Sequence, residues 1–106
     1  MKGTEKQIKW AEDIKTNAIN FCTGRINVQI NLRGNADGEE ARLWRILRAS
    51  IAQTIDKLDD AAKIIDKRGS FKGDQLDMMI IHWGLLIKNG KATVDKIAEA
   101  NHVMEY

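Results

Sequence analysis

Apolar residues recur at helical spacing along most of the chain. Ile8, Ala11, Ile14, Ala18 and Phe21 form one stripe in steps of three or four, the signature of an amphipathic helix. Thr4 and Gln7 stand just before it at capping-box spacing, where each side chain satisfies a backbone N–H of the first turn. Helix A is therefore predicted from about residue 5 to 23, with Trp10 and Ile14 on a neighbouring strip. A second stripe, Trp44, Leu47, Ile51, Ile55, Leu58, Ala62 and Ile65, predicts one long helix B. It follows the turn Gly34-Asn35-Ala36-Asp37-Gly38, is capped by Asp37 with Glu40, and ends at Gly69. Helix C is expected from Ser70 or Asp74 to Gly90. A short helix D starts near Thr93, with Val94, Ile97, Ala98, Val103 and Met104 facing inward.

Residues 26–32 break the pattern. Ile26, Val28, Ile30 and Leu32 alternate with polar residues, as a strand does. No second alternating run exists to pair with it, and a lone strand leaves its backbone groups unsatisfied. The helical reading carries the stripe through Arg25, Val28 and Leu32 and accepts about 1 kcal/mol for Gly24 inside a helix. Helix is the favoured reading; an intermolecular β-ribbon is the rival. The fold class is thus all-α, an elongated bundle of three to four helices in a single domain over 1–106, with 26–32 as a strand between subunits in the rival version.

Two of these helices carry more apolar surface than one small core needs. Helix B has Leu43 and Ile46 beside its main stripe. Helix C is apolar on nearly every side from Leu76 to Ile87, with adaptable methionines at Met78 and Met79. The excess predicts association. The expected interface residues are Leu43, Ile46, Met78, Met79, Ile81, Trp83 and Leu85, and the expected partners are a second copy of the chain or a host protein.

The chain has 106 residues with 17 Lys+Arg, 15 Asp+Glu, one cysteine and no proline. Whole-chain disorder, an intramolecular disulfide and proline-rich recognition are excluded by those numbers. Basic residues outnumber acidic ones six to three over 1–36, match them at seven over 37–69, and trail four to five over 70–106. The longest dense apolar run, Met78–Ile87, is about half the ~20 residues of a membrane span. Met1–Lys6 lacks an apolar leader core, and a cytoplasmic location with no membrane association is the expectation.

Candidate chemistry is sparse. His82 and His102 are the two histidines, and neither is near Cys22 in sequence. Glu99 and His102 have Glu-x-x-His spacing, but the further inward glutamates of a di-iron bundle are missing. No phosphate-binding glycine loop is present. No catalytic residue, metal site or cofactor is assigned. The alternative to a protein-binding role is nucleic-acid binding by a basic face of helices A and B, using Lys6, Lys9, Arg42, Arg45 and Arg48.

Gly3-Thr4-Glu5-Lys6-Gln7-Ile8-Lys9-Trp10-Ala11-Glu12 resembles an N-terminal motif of small bacterial and phage proteins, Gly-Ser/Thr-x-Lys-Gln-x-x-Trp-Ala-Glu. Ala62–Arg68 is similar to a second segment of the same group. The resemblance covers about 20 residues and brings no activity with it. It implies a bacterial or mobile-element setting, in which a non-enzymatic, homodimeric protein that binds or inhibits a partner is the leading expectation.

Overall fold

The computed structural model describes residues 1–31, 34 and 38–106. The fold is all-α: α1 (Glu5–Asn31), α2 (Glu39–Leu58), α3 (Ala61–Asp66), a 3₁₀ turn (Arg68–Phe71), α4 (Gly73–Lys88) and α5 (Val94–Ala100). The molecule is elongated, 44 × 28 × 23 Å.

The capping box at Thr4 forms as the spacing predicts. Thr4 N–H donates to Gln7 Oε1 at 3.0 Å, and Gln7 N–H donates to Thr4 Oγ1 at 3.2 Å. From there α1 runs 27 residues, through Gly24 and on through the ambiguous stretch to Asn31. Residues 26–31 are helical, so the inter-subunit strand is not what forms there; Leu32 lies outside the described residues. The helix satisfies its backbone groups locally and continues the buried line Ala11, Ala18, Cys22, Ile26 and Gln29.

α1 and α2 lie antiparallel. Lys15 Nζ meets Asp56 Oδ1 at 2.9 Å near one end, and Arg48 donates to Thr23 Oγ1 at 3.1 Å nearer the other. α2 begins after Gly38, whose backbone is extended and which supplies no side-chain cap. The expected cap Asp37, with Asn35 and Ala36, lies outside the described residues.

The long helix B is not continuous. It breaks at Asp59, which adopts the left-handed conformation (φ 43°, ψ 35°), and α3 restarts behind Asp60. The Asp60 carboxylate accepts from Ala62 N–H at 3.1 Å and Lys63 N–H at 3.4 Å, so an N-cap interrupts the apolar stripe. The N-terminus fills the notch. Lys2 N–H donates to Asp59 O at 3.0 Å, Ala61 N–H donates to Lys2 O at 2.8 Å, and the Met1 ammonium lies 3.2 Å from Asp59 Oδ1. The break turns α3 against α1. Ala61, Ile64 and Ile65 are buried, while Ala62, a predicted stripe position, faces solvent. α3 closes at Asp66, before Gly69.

α4 ends as Gly90 predicts. Gly90 has φ 70°, its N–H donates to Ile87 O at 3.0 Å, and Lys91 N–H donates to Leu86 O at 2.8 Å, a Schellman closure. α5 is capped by Thr93 Oγ1, which accepts from Lys96 N–H at 3.2 Å. It closes by the same motif with His102 (φ 57°) in the glycine position, and Val103 N–H donates to Ala98 O at 2.9 Å. That left-handed residue sends Val103 into the core and turns Met104 out to 93% exposure, against the inward placement expected for Met104.

Candidate interaction face

α4 is two-faced in position but not in chemistry. Leu76, Ile80 and Trp83 are buried against the bundle. An Arg25–Asp77 ion pair of 3.1 Å ties the helix to α1. Gly73 sits flat on Phe21, where a Cβ would come within 2.6 Å of the ring. These contacts fix the rotation of α4. At 100° per residue they leave Met78, Ile81, His82 and Leu85 on the outward sector. Met78 and Ile81 are each 61% exposed, Leu85 52%, and Met79 at the flank 42%. Asp74 and Gln75 precede this patch, Lys88 and Asn89 follow it, and all four are exposed.

The predicted interface residues therefore divide. Met78, Met79, Ile81 and Leu85 form one solvent-facing strip. Leu43, Ile46 and Trp83 do not join it: they are 1%, 0% and 7% exposed and belong to the protein's own core. The chain turns at Asp59 and returns through α4 and α5, so α2 is enclosed by α1, α3, α4 and α5, and both of its apolar strips are buried within the chain.

The basic residues do not assemble into one face. Lys6 and Lys9 project near the start of α1, whereas Arg48 bonds at the level of Thr23, about 20 Å further along that helix. Arg42 is spent on the C-terminal tail, lying 5.3 Å over the Tyr106 ring and 3.7 Å from Asp95. Tyr106 also donates its hydroxyl to Asp95. Arg45 is half-buried and has a partner of its own.

The candidate reactive groups stay apart. Cys22 is fully buried. Desolvation pushes its thiol up to about 11, with the Arg48 charge pulling partly back. His82 is exposed on α4, while His102 and Glu99 are exposed at the closing turn of α5, where His102 N–H donates to Glu99 O at 3.1 Å. Among the described residues no three His, Cys, Asp or Glu side chains converge as metal ligands do. Ser50 and His102 line one open cleft of about 330 Å³, but the Ser50 hydroxyl donates to Asn101 Oδ1 at 3.4 Å, not to the imidazole.

A second cleft of about 360 Å³, lined by Ile14, Asn17, Phe21, Arg68, Phe71 and Lys72, runs between α1 and the 3₁₀ turn. Beside it Arg68 stacks 5.5 Å over Trp10, which is 49% exposed. Sequence reasoning missed this groove. Its apolar wall was legible in the spacing of Trp10, Ile14 and Phe21, but the opposite wall depends on the break at Asp59. No helix among the described residues is long and apolar enough to cross a membrane. Comparison with protein-family models, curated proteins and solved structures finds no match for the chain.

Proposed function

We propose that this chain is a non-enzymatic binding protein that acts by docking the outward face of α4 on a protein surface. One observation carries the reading: Met78, Ile81 and Leu85 form a contiguous apolar strip, each more than half exposed, on a helix whose other face is already consumed by the core. Leaving such a strip in water forgoes roughly 25 cal/mol for every Å² that a partner would cover. Solvent-facing positions of a monomer's helix ordinarily carry charge. Met78 in the strip and Met79 at its flank suit a surface that adapts to its partner. The resemblance of the N-terminal motif to bacterial and phage proteins supports a cytoplasmic, mobile-element setting for a protein that works by such docking.

The test is site-specific photocrosslinking in cells that express the protein. A crosslinker at Ile81 or Leu85 is expected to give a discrete adduct of higher mass, and one at Glu12, exposed on α1, is not. Equal adduct patterns from all three positions, or no adduct from α4, would refute the reading.

A further inference from the structure

We infer that the surface covering α4 is a second copy of the same helix, packed antiparallel about a two-fold axis beside Ile81. The inference rests on the reading of α4 as the docking face and names its occupant. The ends of the strip supply the argument. Asp74, Met78, Ile81, Leu85 and Lys88 follow one another at steps of four, three, four and three, and all are exposed. Ile81 stands midway, with an acid seven residues before it and a base seven residues after it.

A two-fold interface pairs residue i with j and j with i. Antiparallel packing centred on Ile81 therefore sets Asp74 of each copy against Lys88 of the other and Met78 against Leu85, with His82 near the axis. Parallel packing would oppose Asp74 to Asp74 and Lys88 to Lys88. Both charged ends are available. Asp74 Oδ1 accepts only from Gln75 N–H at 2.9 Å, and Lys88 makes no ion pair among the described residues. Asp74 in the first turn and Lys88 in the last also suit the dipole of α4 itself, and in antiparallel packing the same placement makes the patch complement itself in sign as well as in apolarity.

The size of the patch sets the strength. Sixteen residues of helix give a strip ~24 Å long and ~10 Å wide, short of the ~800 Å² per partner that stable interfaces bury. A patch of that size belongs to the weak, reversible class of interfaces, so dimerisation is expected only well into the micromolar range and above.

Sedimentation equilibrium from about 5 to 500 μM tests this. The wild-type chain is expected to pass from monomer to dimer across that range. Ile81→Glu should abolish the dimer. Asp74→Lys and Lys88→Asp should each weaken it by about tenfold, since each replaces two attractive pairs by two repulsive ones. An equimolar mixture of those two variants should recover dimer, because every introduced charge then faces its opposite. Thermal melts verify that each variant is folded. A wild type that stays monomeric throughout, or charge variants that associate as well alone as mixed, would overturn the antiparallel pairing. A monomeric wild type that still yields a heavier hetero-adduct from position 81 would overturn self-pairing while leaving the docking reading intact. Absence of any adduct would remove both.

Discussion

Ile46 and Ile81 separate the core of this protein from its proposed docking face with a single chemical change. Both are isoleucines in helices that are apolar on more than one side, yet Ile46 is 0% and Ile81 61% exposed. Ile→Ala removes three carbons, about 2.4 kcal/mol of transfer free energy at ~0.8 kcal/mol each. At Ile46 the neighbours close only partly over the gap, and the cavity raises the cost to about 3–4 kcal/mol. For a chain of this length that lowers Tm by at least ~12 °C. At Ile81 only about two-fifths of the side chain is shielded, so about 1 kcal/mol is lost, water fills the space, and alanine's better helix propensity returns a few tenths.

Urea denaturation followed by far-UV circular dichroism at about 2 μM keeps the chain below its expected association range and measures both costs. Leu43→Ala, at 1% exposure, should behave like Ile46→Ala. A loss above ~2 kcal/mol at Ile81, or below ~1 kcal/mol at Ile46, would refute the assignment of the two surfaces.

Three further outcomes are expected. Gly3 has φ +138°, and a Cβ there would lie 2.9 Å from Ala61 Cβ; Gly3→Ala should cost about 1–3 kcal/mol in denaturant melts by prising the N-terminal segment from the α2–α3 notch. Gly24 and Gly84 are helical and a Cβ at either meets nothing within 4 Å, so Gly24→Ala and Gly84→Ala should each stabilise by about 0.5–1 kcal/mol, read as a rise in Tm. The Cys22 thiol, held up to about 11 from an ordinary 9.0 chiefly by burial, should resist alkylation at pH 8 until the chain unfolds. Because the unfolded chain loses this proton first, stability is full below pH 9 and falls by on the order of 2–3 kcal/mol as pH rises to 11; a Cys22→Ala variant with the same decline would show that another group causes it.

The fold was legible wherever local chemistry decides it. The Thr4–Gln7 box, the Thr93 cap and the Gly90 closure are satisfied within a few residues, and each formed at the position its spacing predicts. The break at Asp59 was not legible. The stripe passes through it with correct helical steps, and the two aspartates read as an ordinary solvated face. Asp60 caps α3 with its own carboxylate, but the notch is held by Lys2, a residue almost sixty positions away whose backbone bonds to both sides of the break. Likewise His102 takes a left-handed backbone usually given to glycine, so the burial of Met104 was predicted on the wrong side of a turn. The candidate site divides for the same reason: Met78, Met79, Ile81 and Leu85 face solvent, while Leu43, Ile46 and Trp83 are taken by the core once the chain returns through α4 and α5.

That fold-back sharpens the case for α4. A continuous helix B of about 30 residues would reach ~45 Å and leave its second apolar strip to a partner, so surplus apolar surface would be spread over two helices. The observed turn instead lets α4 and α5 return over α2 and consume its surplus, since Leu43, Ile46 and Ile55 are all at or below 1% exposure. A sequence that encloses one doubly apolar helix by inserting two aspartates and tethering its N-terminus has the means to bury such surface. It does not do so on α4, where polar substitution at Met78, Ile81 or Leu85 would disturb no core contact of Leu76, Ile80 or Trp83 on the opposite side. The retained strip is therefore not a by-product of building the core, which is what the proposed pairing of two α4 helices requires.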